Sequence, residues 1–432
     1  MKLKALVGVL AVAGLAMPGI ASATNGYFSH GIGIKAKGMG GVGIALPQDS
    51  LAAATNPAGM VLVGDRLDLG VDWFMPHRTT TWQPQSGMFA PVPAAGGEYK
   101  SGSENFLIPE FGYNMMLGDK MSLGVSVFGN GGMNTDYGKI ALGGGTTNTY
   151  SNLEQLFIAP TFAMKLNPQH SVGVTLNVVF QNFEARGLQG FDPVSSSSGS
   201  VTDRGKDYSH GVGLKFGWIG QLTNDFSVGA TYQSKTDMSK FDKYKGLFAE
   251  QGNFDIPETF GIGMAFKATP KMTVAADIVQ INYGDIKSLA NDGSLYPIAG
   301  GGPALGLDNG SGFGWTDQTV YKLGLSYQYR PDLLLRAGYN YAQNPIKDNK
   351  QTYFNILAPA TVEQHLTLGA TWTLANKAEL SVSYMHAFEK KITGVTNGDG
   401  MTGFGLAGPT AGWPADLKMS QDSLGIAYAW KM

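Results

Sequence analysis

Apolar residues recur at every second position through most of this chain, and that period of two constrains its fold more than any other feature. Leu366, Leu368, Ala370, Trp372 and Leu374 alternate with Thr367, Gly369, Thr371 and Thr373. Tyr321, Leu323, Leu325, Tyr327 and Tyr329 alternate with Lys322, Gly324, Ser326 and Gln328. Phe226, Val228, Ala230 and Tyr232 repeat the pattern, and Leu424, Ile426, Tyr428 and Trp430 form the last row. Neighbouring side chains of a strand point to opposite faces, so each row makes one greasy face backed by a small or polar one.

The pattern predicts strands near 66–78, 103–116, 120–129, 151–167, 170–183, 210–222, 226–234, 258–269, 272–283, 317–329, 333–343, 362–374, 378–388 and 422–430, fourteen in all. Most reach the roughly 9–11 residues that a tilted membrane strand needs. Tight turns are expected at Gly118-Asp119, Pro168-Gln169, Asn224-Asp225, Pro270-Lys271, Pro331-Asp332 and Asn376-Lys377, and every other connection is long. Strict alternation of short and long connections is the outer-membrane barrel pattern, with tight turns on the periplasmic side. Tyr329, Tyr339, Tyr341, Tyr384 and Trp430 fall toward strand ends, where an aromatic girdle belongs. Lipid offers no partner to a free N–H or C=O, so such a sheet must close. The expected fold is all-β, a 14-stranded antiparallel transmembrane β-barrel, in the outer membrane of a Gram-negative bacterium.

The chain's start agrees with export. Lys2 and Lys4 precede an apolar run from Ala5 to Met17, and small residues follow at Ala21 and Ala23. A dozen apolar residues suit a signal peptide and fall short of the roughly 20 of a spanning helix. A signal over 1–23, with a mature chain from near Thr24, is expected. Removing 23 of 432 residues leaves 409, which one closed sheet can absorb. Cysteine is absent, which removes disulfides and thiolate chemistry. A net charge of −2 gives no electrostatic case for nucleic acid.

Other motifs carry little. Gly38, Gly40 and Gly43 fit a dinucleotide fingerprint but lack the βαβ context that gives it meaning. His30, His77, His170, His210, His365 and His386 are scattered, without metal-ligand spacing. Ser383 and His386 are of opposite parity, so they face opposite sides of the sheet. No catalytic residue, metal or cofactor is expected.

Residues 24–62 do not alternate. They are rich in small residues and nearly uncharged. A fourteen-stranded lumen is wider than wall side chains can fill, so this segment is expected inside it, ahead of a barrel over 63–432. The segment carries Gly38-Met39-Gly40-Gly41 followed by Asn56-Pro57-Ala58-Gly59. In these motifs the chain resembles the FadL-type transporters of long-chain fatty acids and other hydrophobic compounds. The resemblance implies that 24–62 is an N-terminal hatch (plug). It also implies that the third strand is kinked to leave a gap in the wall, and that Asn56, Pro57 and Ala58 contact this kink. Strand three runs from Ser122 into Gly129-Asn130-Gly131-Gly132, and glycine within a strand marks a bulge or bend. The same glycines would also suit the start of an external loop.

The resemblance implies passive import of a hydrophobic small molecule, by capture at external loops and lateral exit at Gly129–Gly132. In the loop 235–257, Phe241, Tyr244, Leu247 and Phe248 share a face if the loop is helical, either as a capture groove or as packing against neighbouring loops. Parity puts Glu110, Lys165, Lys215, Lys267, Asp277, Lys322 and Arg336 on the lumen face. Lys215 and Lys322 are candidates for holding a carboxylate head group, or for binding the hatch instead. The alternative is a general porin for polar solutes, against which a small-residue plug argues. The expected partners are the ligand, outer-membrane lipid and lipopolysaccharide, around a monomer. Substrate identity, fatty acid or aromatic hydrocarbon, is not legible in parity.

Overall fold

Period-two segments leave strand edges that must be paired, and the chain pairs them by closing on itself. The structure, a computed structural model, describes residues 24–82, 96–139, 141–142, 145–294, 302–395 and 414–432. The expected signal peptide lies outside the described residues.

Fourteen long strands form the wall among the described residues. They begin with β1 (Arg66–Trp82), β2 (Phe106–Leu117), β3 (Met121–Asp136), β4 (Tyr150–Lys165) and β5 (His170–Arg186). Next come β6 (Asp207–Gln221), β7 (Phe226–Gln233), β8 (Thr259–Thr269), β9 (Met272–Ile281) and β10 (Gln318–Arg330). The last are β11 (Leu333–Ala342), β12 (Gln364–Thr373), β13 (Glu379–Val395) and β14 (Pro414–Lys431). Two short strands, Gly97–Lys100 and Asp237–Met238, add to β1 and β6. Each wall strand pairs antiparallel with its neighbours in sequence, and β1 pairs with β14 from Arg66↔Lys431 to Trp82↔Ala415. The ring closes as a hydrocarbon surround demands, except that β2 and β3 pair only from Phe111↔Val127 to Leu117↔Met121.

All six expected tight turns fall between consecutive strands. Strand β3 differs from expectation: it continues past Gly129 to Asp136, so its glycines lie within the strand and do not begin a loop. The alternating rows place Leu323, Leu368, Ile262, Leu424 and Trp430 outward and exposed. Among the described residues no helix is long and apolar enough to cross a membrane.

The interior holds two kinds of material. Toward the long loops lies an apolar core that includes Tyr27, Phe128, Phe157, Phe183, Phe254, Tyr283 and Trp315. Toward the tight turns, residues 30–62 fill the lumen. Inward-facing wall glycines make the fit possible. A Cβ on Gly338 would run into the backbone of Met39 and Gly40, and one on Gly173 into the backbone of Pro57. Gly369 approaches the Gly38 Cα in the same way. Small residues on both surfaces let two backbones touch.

Candidate functional site

Wall strands on every side grip the lumen segment through its backbone. Glu110 of β2 accepts from the Gly33 and Ile34 amides at 3.1 and 2.9 Å. Asp277 of β9 accepts from Gly43 and Ile44 at 2.8 and 3.2 Å. Arg336 of β11 reaches a side chain instead, donating to Gln48 Oε1 at 2.8 Å. Lys215 of β6 donates to the Ala54 carbonyl, and Lys322 of β10 to the carbonyls of His30 and Gly41 at 3.0 and 3.2 Å.

Ion pairs add a second grip beside the seam where β14 meets β1. Lys37 lies 2.5 Å from Asp72 of β1. Lys35 pairs with Glu379 of β13, which also takes Arg66 at 3.2 Å and Lys431 at 2.6 Å. His30 is buried beneath these groups with its ring stacked 6.1 Å from His365. Burial first, then the nearby His365, Lys37 and Lys322, hold its imidazole well below the ordinary histidine range, so the ring is neutral.

Residues 24–29 are held differently. Strands β2 and β3 pair only from Phe111↔Val127 down to Leu117↔Met121. Above that pair, β2 continues along β1 while β3 continues along β4, with a register shift between Gly129 and Gly131. The two edges rejoin where Gly102 donates to the Asp136 carbonyl at 2.6 Å. The unpaired edge of β3 is covered by the chain's own N-terminal stretch. Ser29 donates to the Asn130 carbonyl at 2.9 Å, and Gly132 donates to the Tyr27 carbonyl at 3.1 Å. Phe28 bridges Gly131 as an added strand would.

Cavities follow the same line. An apolar one of about 30 Å³ lies under the loops, against Phe183, Leu247, Phe248, Phe313 and Met133. A smaller one, sharing Met133, reaches Gly26 and Trp315. A third, of about 90 Å³, begins at the adjacent Asn25 and Phe28 and is lined by Lys215, Lys322 and Asn130. Gly26 lines the second, and Asn25 and Phe28 line the third, with Tyr27 between them in sequence. The Tyr27 and Phe28 rings pack in a cage with Tyr283 and, for Tyr27, Phe254 and Trp315, at centroid distances of 5.5 to 6.2 Å.

The sequence profile of the family described as "Outer membrane protein transport protein (OMPP1/FadL/TodX)" matches residues 20–429. The chain belongs to this family. Among solved structures, this outer-membrane transport protein is similar to the Pseudomonas aeruginosa FadL homologue, at 14% identity over 94% of this chain and 99% of that one, with a TM-score of 0.70. It is similar to the Pseudomonas putida toluene transporter TodX at 19% identity over 93% and 99%, with a TM-score of 0.66. The Ralstonia pickettii toluene transporter TbuX matches at 17% identity over 93% and 99%, with a TM-score of 0.61. At these identities the likeness is one of fold. Comparison with curated protein sequences finds no match.

Two expectations about this transport protein need correction. Asn56, Pro57 and Ala58 do not meet the kink through Asn56. The Asn56 amide donates to Ile44, to Trp218 of β6 and to Ala230 of β7, at 2.8, 3.0 and 3.3 Å, and Pro57 lies under Gly173 of β5. Its Oδ1 accepts from Ala58 and so caps the turn Pro57–Leu62. The kink is met by Tyr27 to Ser29, which alternation and motif gave no reason to single out.

The loop 235–257 is not one helix. It holds short pieces, Asp242–Tyr244 and Ala249–Gly252, with positive φ at Glu250 and Gln251. Phe241, Tyr244, Leu247 and Phe248 are all buried and pack around Phe183, so no apolar patch stands free on this loop. Leu247 and Phe248 nevertheless line the outermost cavity. Lys165 and Lys267 sit near the tight-turn ends, the former half-buried and the latter exposed, away from these cavities.

Proposed function

We propose that this outer-membrane transport protein admits hydrophobic small molecules bearing a carboxylate, long-chain fatty acids foremost, by passive diffusion. One observation carries the carboxylate. Lys215 and Lys322 line one lumen cavity, and neither forms an ion pair among the described residues. Lys322 has Asp277 facing it across the β9–β10 pair, beyond ion-pair distance, and Lys215 is held by the Ala54 carbonyl. A buried ammonium without an ion-pair partner is costly, and an incoming carboxylate would relieve that cost through charge-assisted hydrogen bonds. An aromatic hydrocarbon has no group to offer there.

The route follows the cavities: capture near Leu247 and Phe248, passage by Tyr27 and Phe28, head-group binding at Lys215 and Lys322, and lateral exit at Gly129–Gly132 beside Asn130. Ligand pockets commonly measure about 300–1,000 Å³, far above these cavities, so the structure is read as a closed state. Residues 30–62 act as a fixed hatch and residues 24–29 as its moving part. Asn56, Pro57 and Ala58 anchor the hatch to β5, β6 and β7. Closure of the ring within one chain supports a monomer, and its greasy outer rows support a surround of lipid and lipopolysaccharide. The filled lumen argues against a general porin.

The test compares uptake of dodecanoate and dodecane in a deletion strain carrying wild type or Lys215→Met/Lys322→Met. The double variant is expected to lose about tenfold in dodecanoate uptake, the worth of one charged hydrogen bond. Dodecane uptake should be unchanged. Equal effects on both cargoes would remove the head-group role, and no uptake of either by wild type would remove the transport reading.

A further inference from the structure

One polar rung crosses the apolar upper wall. Asn130, in the β3 bulge, donates to Gln155 of β4 at 3.2 Å. Gln155 donates to Gln181 of β5 at 3.1 Å. Gln181 donates to the Phe254 carbonyl at 2.9 Å and to Ser209 of β6 at 3.3 Å. Gln155, Gln181 and Ser209 are in register across three strands, and Asn130 is the bulged residue next to Gly131, the partner of Gln155 on the fourth. All are buried.

Their surroundings make the rung unusual. The inward neighbours of Gln155 along β4 are Leu153 and Phe157, and those of Gln181 along β5 are Val179 and Phe183, all in the apolar core. Leucine would be the cheaper residue at either place, because a buried amide stabilises only when its partners are all present. The amides satisfy one another in a single direction, and the two ends of the row lie in different parts of the machine. One end is the bulge whose carbonyl receives Ser29. The other is Phe254, whose ring packs on Phe248 at 5.0 Å and on Tyr27 at 6.2 Å. Gln155 itself lies beside the Tyr27 hydroxyl.

We propose that the amide row Asn130–Gln155–Gln181 couples occupancy of the loop cavity to release of the N-terminal stretch from the β3 bulge, with Gln155 and Gln181 as positioning residues. This rests on the transport reading above. A ligand against Phe248 shifts Phe254, the Gln181 bond to its carbonyl lengthens, and the row passes that change to Asn130. A chain of mutually polarised amides has few intermediate arrangements, so it behaves as a two-state element biased from both ends. Coupling of this kind is reciprocal: opening the bulge must also alter ligand affinity at the loops.

The test is amide hydrogen exchange at Ser29 and Gly132 in the full-length protein, with and without oleate. In wild type, oleate should speed exchange at both amides by roughly tenfold, within the ordinary range of coupling between sites. In Gln181→Glu, which keeps an acceptor for Gln155 but loses the donor to Phe254, the oleate effect should fall below about twofold while oleate still binds. Gln155→Leu/Gln181→Leu, checked for folding by heat-modifiable gel mobility, should expose both amides without oleate. Undiminished oleate-dependent exchange in Gln181→Glu would overturn the proposal, as would no oleate effect in a wild type that takes up oleate. Failure of wild type to take up oleate at all would instead strike the transport reading.

Discussion

Lys37, in the lumen segment, and Asp72, on the first wall strand, form an ion pair of 2.5 Å with both side chains buried. Asp72 also accepts from Ser423 of β14 at 2.5 Å, so the pair joins the segment to both strands of the closing seam. Lys37→Met should cost about 3–5 kcal/mol by leaving a buried carboxylate without its cation. Lys37→Met/Asp72→Leu should recover most of that loss. Urea unfolding, read by proteolysis within residues 24–62, checks both.

The close approach of Gly338 to Gly40 leads to a second expectation. Gly338→Val should push the segment off β11 at a cost of about 1–3 kcal/mol, the usual range for an overpacked contact. The barrel wall faces lipid elsewhere and should still assemble. Planar-bilayer recordings should then show ion conductance well above that of wild type.

These glycines also show what could be read ahead of the structure. Alternation located all fourteen strands, because one greasy face and one wet or filled face impose a period of two, but β3, β13 and β14 run on beyond the expected 129, 388 and 422 to Asp136, Val395 and Pro414. Gly324 and Gly369 were visible as the small members of alternating rows, while Gly338 was not singled out. Their shared job, admitting the backbone from Gly38 to Gly41, needed three-dimensional register to appear. Lumen parity found Glu110, Lys215, Asp277, Lys322 and Arg336 correctly, and all five bind the segment. The edge-covering role of Tyr27 to Ser29 left no trace in composition, since it is carried by backbone groups that every residue has. In the loop 235–257 the packing alternative describes Phe241, Tyr244, Leu247 and Phe248, because the chain there folds as short turns and not as one helix.

Acid should loosen the segment. Burial and neighbouring positive groups keep the His30 imidazole neutral in the folded protein, whereas the unfolded chain protonates it below about pH 6.5. The unfolded state therefore binds more protons in that range, and stability falls as pH drops below about 6.5. Thermal unfolding of wild type at pH 7.5 and pH 5.5 should show a loss that His30→Gln reduces, the buried His365 stacked on it carrying a further share.

Cargo should leave sideways where Tyr27 to Ser29 cover the edge of β3. Because the chain has no cysteine, one engineered disulfide can test it. Phe28 and Gly131 lie opposite one another in an antiparallel bridge, a spacing that a disulfide can span. Phe28→Cys/Gly131→Cys should block uptake of dodecanoate when oxidised and regain it on reduction. Full uptake through the oxidised, fully cross-linked protein would contradict the account.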